Sequence, residues 1–418
     1  MSVSKPEQPN ADVRMRGFTQ RTTVGDALAW VDSAMPTFGE LDIEDVSLLN
    51  AAERVLARDA VSSVDVPGFA RAMMDGFALV ADDTQGATSY NPLPLKILGT
   101  CLPSRAFEGR VTPGGAVRIM TGAPLPDGAD AVLPIENAQI DGERVLVFGD
   151  VSPGKHVGQL GEDVRVGDVV ANAGRVLLPQ DIGMLSSLGF SQAPVIRRPR
   201  VRILITGNEL LPMGTLPEGF RITDANGPML AALVTRDGGE PITGPIVPDD
   251  RDAILAALRD DADVILASGG SSVGQEDHVP TLLSQHGELA IHGIAMRPSS
   301  PTGIGKLDGR LVFLLPGNPV SCLCAYDFFA GRAIRALGGR CREWPYRRVT
   351  AQLSRKLVST VGRVDYARVR FDGSAAEPLA ISGASVLSSV TRADGFVIVP
   401  MDSEGYPEGA EVDVYLYA

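Results

Sequence analysis

Cysteine is scarce in this 418-residue chain, with four in all: Cys101, Cys322, Cys324 and Cys341. None forms a CxxC pair, which excludes a disulfide scaffold and fits a reduced setting. Histidine is equally sparse, and His156, His278, His286 and His292 show no HxxxH-type ligand spacing. No apolar run approaches the roughly 20 residues needed to span a bilayer. The first 16 residues lack the apolar core of a signal peptide. Basic residues are outnumbered 38 to 51, a formal net charge of -13. That argues against a polyanion-binding surface as the main business of the chain, although a local basic pocket remains open. GxGxxG and GxxxxGK[ST] loops are both missing, so the ordinary dinucleotide and NTPase signatures are absent. These absences lead us to expect a soluble, cytoplasmic protein with no nucleic-acid or membrane partner.

Glycine (46) and proline (30) are plentiful and spread among apolar runs. The length implies two to four domains at roughly 150 residues each. Residues 1–16 read as a flexible tail. Thr23 to Met35 has the apolar spacing of a helix. Short strand-like runs separated by Gly and Pro turns suggest an inserted β-rich domain over 61–151. It interrupts a split segment, 17–60 and 152–195. From residue 196 to 343 strands alternate with helices, the pattern of a mostly parallel sheet with helices on both faces. Beyond Trp344 strands resume alone, giving a C-terminal β barrel or sandwich over 344–418. The expected fold class is therefore multi-domain α/β plus β.

Open α/β sheets bind ligands beyond the carboxyl ends of their strands. Three loops fall at such ends: ITGNEL (205–210), ASGGSSVGQED (267–277) and LPGNPVS (315–321). The second presents Gly269, Gly270, Ser271, Ser272 and Gly274, where backbone amides and hydroxyls can approach a phosphate. The third presents Pro316, Gly317, Asn318, Pro319 and Ser321. Glu209, Asp249 and Asp277 sit beside these loops. Asp249 is also well placed to cap the helix in DDRDAILAALRDD. Two acids near a phosphate-cradling loop suit Mg²⁺, which takes one or two carboxylates plus phosphate oxygens. The SCLC run reads as packing. Asp75 and Thr121 each precede a glycine turn in the early segment. The residues alone stop at a multi-domain α/β enzyme with an anionic, phosphate-bearing ligand.

In chain order, MMDGFAL, RIMTGAPLPDGADAVLPIE, GEDVRVGD, ITGNEL, ITDAN, SGGSSVGQED and LLPGNPVS together resemble the molybdopterin molybdenumtransferase family, which includes bacterial MoeA and the E domain of gephyrin and plant Cnx1. The resemblance runs from about Gly25 to the C-terminus. It implies a MogA-like α/β domain, a split elongated domain with a β-rich insertion, and a C-terminal β barrel. It also implies a homodimer with its site near the subunit interface. The implied reaction joins adenylylated molybdopterin and molybdate, with Mg²⁺-dependent hydrolysis of the adenylate, and contact with a molybdopterin adenylyltransferase is a further possibility. Position by position, the functional acids fall on Asp75, Asp163, Glu209, Asp249 and Asp277, with Thr121 as the matching hydroxyl. Asp249 and Asp277 would hold Mg²⁺, and Asp75 would reach the α/β site of the dimer mate. Arg297, Ser300, Arg363 and Ser388 fall where the family places oxyanion ligands. The family's two lysines in K-P-G-K-P are here Arg297 and Ser300 of MRPSSP, and the arginine usual before GED is absent. Ser300 offers only a hydroxyl, so the second cation is lost. A paralogue using tungstate or a modified pterin, and a non-catalytic scaffold, are the alternatives this departure leaves open.

Overall fold

The computed structural model describes residues 21–269, 278–380 and 383–418. Two compact units emerge, one of Asp45–Val195 and one that joins the chain up to Glu44 with Ile196–Ala418. The N-terminal tail and the candidate residues Gly270, Ser271, Ser272, Gly274 and Asp277 lie outside the described residues.

In the larger unit, three apolar runs form the parallel centre of a six-stranded sheet: Arg200–Ile205, Val264–Ser268 and Arg310–Leu315. These strands are buried almost end to end because helices cover both faces, so no alternation survives in their sequence. Glu240–Ile242 extends the parallel edge. The other edge turns antiparallel through Gly303–Leu307 and Glu288–His292. Helices Asn226–Arg236, Arg251–Leu258 and His278–His286 follow successive strands.

The helix Val24–Ser33 is capped by Thr23, whose hydroxyl accepts the Asp26 amide. Val24, Ala27 and Val31 pack into the core with Ile203, Leu230 and Phe313. The long closing helix is modified. It runs Pro319–Ala325, widens through an i→i+5 turn at Tyr326–Ala330, and resumes as Gly331–Leu337.

The C-terminal strands close on themselves. Val364–Phe371 pairs with Ala375–Ala380 on one side and Gly395–Val399 on the other. Arg347–Leu353 and Glu411–Leu416 complete a five-stranded barrel. Closure leaves no long open edge. A two-residue strand, Met296–Arg297, pairs in parallel with Val364 and Asp365 and ties the α/β layer to the barrel.

The smaller unit holds a six-stranded sheet of Ala131–Pro134, Gly76–Leu79, Gly115–Ile119, Leu93–Cys101, Arg144–Val147 and Ala138–Asp141, in that order. Phe77, Leu79, Leu133, Val145 and Val147 fill one face of its core. A separate cluster of Leu48, Leu56, Leu177, Leu185 and Val195 supports the rest. Among the described residues, no helix is long and apolar enough to cross a membrane.

Candidate active site

The carboxyl ends of the three central strands open into a cavity of about 460 Å³, lined by Thr206, Glu209, Asp224, Asn226, Ser268, Gly269, Gly317, Asn318, Pro319 and Ser385 among others. Buried strands deliver the polar residues here because a parallel sheet ends in a row of backbone groups and loop side chains.

Asn226 joins the loops. Its amide donates to Ser268 Oγ at 2.9 Å and to the Gly317 carbonyl at 2.8 Å. Its own Oδ1 is buried with no partner among the described residues, leaving an acceptor for a ligand donor. Asp224 accepts the amides of Asn226 and Gly227 at 2.9 and 3.0 Å, so one carboxylate oxygen holds the start of that helix. Gly269 has φ +95°, and a Cβ there would lie 2.0 Å from the Thr206 carbonyl. Only glycine lets the second loop pass so close to the first.

Asp249 is not the helix cap. That place belongs to Asp250, whose carboxylate accepts the amides of Asp252 and Ala253. Asp249 lies one residue earlier and turns to the site loop. It accepts Thr206 Oγ1 at 2.7 Å and the Asn208 amide at 3.0 Å, while Asn208 Oδ1 accepts the Asp249 amide at 3.3 Å. Glu209 stands exposed on the cavity wall. Pro316 and Ser321 are buried, while Gly317 and Asn318 face solvent at the mouth. Cys322 lies behind Ser268, 3.7 Å from its hydroxyl. Burial pushes its thiol up to about 12, so it packs and does not act as a thiolate.

No group of three or more His, Cys, Asp or Glu side chains positioned to hold a metal occurs among the described residues. Glu209 and Asp224 nevertheless share the cavity, and Asp249 is bonded to its wall. One or two such carboxylates are all that Mg²⁺ needs when the substrate brings phosphate oxygens.

A second polar group gathers where Met296–Arg297 meets the barrel. The Asp365 carboxylate is fully buried and accepts Ser359 Oγ at 2.6 Å. Arg297 Nε donates to it at 3.1 Å, and Arg297 Nη2 makes a second bond. Arg363 Nε stands 3.5 Å away. Ser300 Oγ is buried with no partner among the described residues. Ser299 Oγ donates to the Ser321 carbonyl at 2.5 Å, fixing this segment to the helix that follows the third loop. Ser388 opens the short helix Ser388–Thr391. No described hydrogen bond or ion pair joins it to the arginines.

Asp75 and Thr121 meet in the smaller unit. The Thr121 amide and hydroxyl donate to Asp75 Oδ1 at 2.8 and 2.7 Å. The amide, then the hydroxyl, holds the Asp75 carboxyl below its usual range. Asp163 is exposed in a turn, its amide bonded to the Val66 carbonyl. Asp224, Asn226, Thr206, Ser268 and Ser385 are site residues that the sequence does not single out. The ITDAN run carried the only local signal for the first two.

Residues 22–189 match the MoeA N-terminal region (domain I and II), 202–336 a probable molybdopterin binding domain, and 350–417 the MoeA C-terminal region (domain IV). The chain belongs to the MoeA family. Full-length relatives agree. A putative molybdopterin biosynthesis protein of Methanocaldococcus jannaschii is 33% identical, with 90% of this chain and 92% of the relative covered. The molybdopterin molybdenumtransferase 2 of Mycobacterium tuberculosis is also 33% identical, over 88% of this chain and 94% of its own. A solved molybdopterin biosynthesis MoeA structure from Pyrococcus horikosii superposes with a TM-score of 0.82 at 32% identity, covering 96% of this chain and all of that one. Within the MoeA family frame, the cavity lies in the segment that matches the molybdopterin binding domain, and the arginine group lies where that segment meets domain IV.

Proposed function

We propose that this chain is a molybdopterin molybdenumtransferase that takes adenylylated molybdopterin and molybdate and yields molybdenum cofactor and AMP. The observation that carries this reading is the convergence of three strand-end loops on one cavity, locked by Asn226 and faced by carboxylates. Backbone amides and hydroxyls of the 269 and 317 loops supply donors for the pterin phosphate. Asp249, together with Asp277, would hold Mg²⁺, which when bound would neutralise charge on the phosphoanhydride that is cleaved. Thr206 and Asn208 fix Asp249, so its oxygens are oriented before substrate arrives. The Arg297–Ser300 segment, tied to Ser321 by the Ser299 hydroxyl, would border the oxyanion. Asp277, Ser272 and Ser388 complete the proposed ligand set. We further propose a homodimer working in the cytoplasm.

Purified protein mixed with adenylylated molybdopterin, molybdate and Mg²⁺ should release AMP and form cofactor. Chelation with EDTA should stop AMP release, and added Mg²⁺ should restore it. No AMP and no cofactor under these conditions would overturn the reading. Because Ser300 stands where a second cation would grip the oxyanion, tungstate competition in the same assay decides between the two metalates. Sedimentation velocity tests the dimer.

A further inference from the structure

The polar group at the barrel joint has an uneven charge count. Two guanidiniums, Arg297 and Arg363, stand against one carboxylate, Asp365, and no other described carboxylate lies within ion-pair distance of either. The two arginines are not equivalent. Strand pairing sets Arg297 directly beside Asp365 in register. Arg297 then engages both carboxylate oxygens, in the planar fork geometry that suits a guanidinium. Ser359 takes a further position on the carboxylate. Arg363 is different. Among the described residues its Nε is near enough to feel the charge but makes no hydrogen bond, and its Nη2 reaches Thr360 Oγ1 alone, at 3.4 Å. Arg363 therefore keeps most of its donors unspent, close to a carboxylate already committed elsewhere. The unpartnered Ser300 hydroxyl belongs to the same segment as Arg297.

We infer that Asp365 is the charge-setting residue of the oxyanion site: as a buried counter-ion it withdraws Arg297 from ligand binding and leaves Arg363 as the guanidinium that receives the oxyanion. The site then presents one net positive charge to a tetrahedral dianion. A carboxylate that is fully buried must keep a paired cation, because its desolvation is otherwise uncompensated. Arg297 is that cation. The inference rests on the functional reading above for the identity of the oxyanion. It concerns binding, so it is tested without turnover.

Molybdate binding to the whole protein, measured by calorimetry at constant low salt, gives the decisive order. Arg363→Gln should weaken binding about tenfold or more, the loss of one charge-assisted hydrogen bond. Arg297→Gln should weaken it comparably, because the stranded carboxylate then neutralises Arg363. Asp365→Asn should tighten binding and steepen its salt dependence, since the site gains one net charge. The double variant R297Q/D365N should return to within about threefold of the starting affinity, because the net charge is again one. An Arg297 that gripped the oxyanion directly would leave the double variant as weak as R297Q, and that result would overturn the inference. So would weaker binding by D365N, or no oxyanion binding by the unaltered protein. Thermal midpoints identify any variant that fails to fold, and D365N alone still decides the sign. Should AMP release fail while this order of affinities holds, the functional reading falls and the assignment of Asp365 stands.

Discussion

Asn226 carries more of the site than any other single side chain described. Replacing it with Ala removes two hydrogen bonds between the helix start and the loops after two neighbouring strands. The expected loss is about 1–3 kcal/mol of stability, read from urea unfolding. AMP release should drop about tenfold, since the loops lose their shared anchor. Its role was invisible in the sequence because its partners lie 42 and 91 residues away, and no local spacing announces them. The cap of Arg251–Leu258 shows the opposite difficulty. Local chemistry announced an aspartate there, but two adjacent ones compete, and only the path of the chain makes Asp250 the cap and releases Asp249 to Thr206. Asp75 offers a cleaner residue-level test. Thr121→Val removes the hydroxyl donor and keeps the amide, so the Asp75 titration, followed by carboxyl NMR, should move upward but remain below the ordinary aspartate range. An unchanged titration would show that the hydroxyl bond is not formed in solution.

Among the elements, the end of the strand Val264–Ser268 is tightly constrained where it passes through Gly269. Gly269→Ala places a methyl 2.0 Å from the Thr206 carbonyl on a backbone with φ +95°. The first loop must then move, and a destabilisation above roughly 2 kcal/mol is expected, with AMP release lost alongside it. A thermal midpoint within a degree of the parent would contradict this. The strand–helix alternation over 196–343 was legible because each element carries its own apolar period and its own turn residues. Two strands were not legible. Gly303–Leu307 reads GIGKL, with two glycines and a lysine, and joins the sheet only because Gly305 lets the Glu288 carbonyl come within 1.9 Å of where a Cβ would sit. Ala375–Ala380 contains a proline and little bulk, yet it closes the barrel by pairing with two strands at once. Both are strands by virtue of their neighbours.

For the molecule as a whole, acid is the informative perturbation. Hydrogen bonds from Arg332 hold Asp32 below its ordinary value of 3.8, and hydrogen bonds from Arg175 do the same for Asp181. A depressed carboxylate contributes stability that is present above the ordinary range and is lost as pH falls through its lowered folded value. Asp327 runs the other way. Burial raises it against the pull of Arg236. Thermal midpoints should therefore be flat from neutrality to about pH 5 and fall below about pH 4, where the depressed groups take up protons. Asp32→Asn should flatten part of that fall, and an unaltered acid profile would count against the pair with Arg332. Because Asp32 and Asp181 belong to different compact units, the two need not lose structure at the same pH.

The two-residue strand Met296–Arg297 has one more consequence, for how the sequence can change. Its register against Val364 and Asp365 behaves as a keyed joint. A single residue inserted or deleted in the flanking segment would turn Arg297 to the opposite face of the ribbon and leave Asp365 facing the wrong neighbour. Length changes around residues 298–302 should therefore be nearly forbidden. The turn at Asp372–Ser374, held by its own aspartate side chain, should accept added residues freely. A chimera that grafts this barrel onto another member's α/β segment would work only if the donor supplies its own matching tooth for the key.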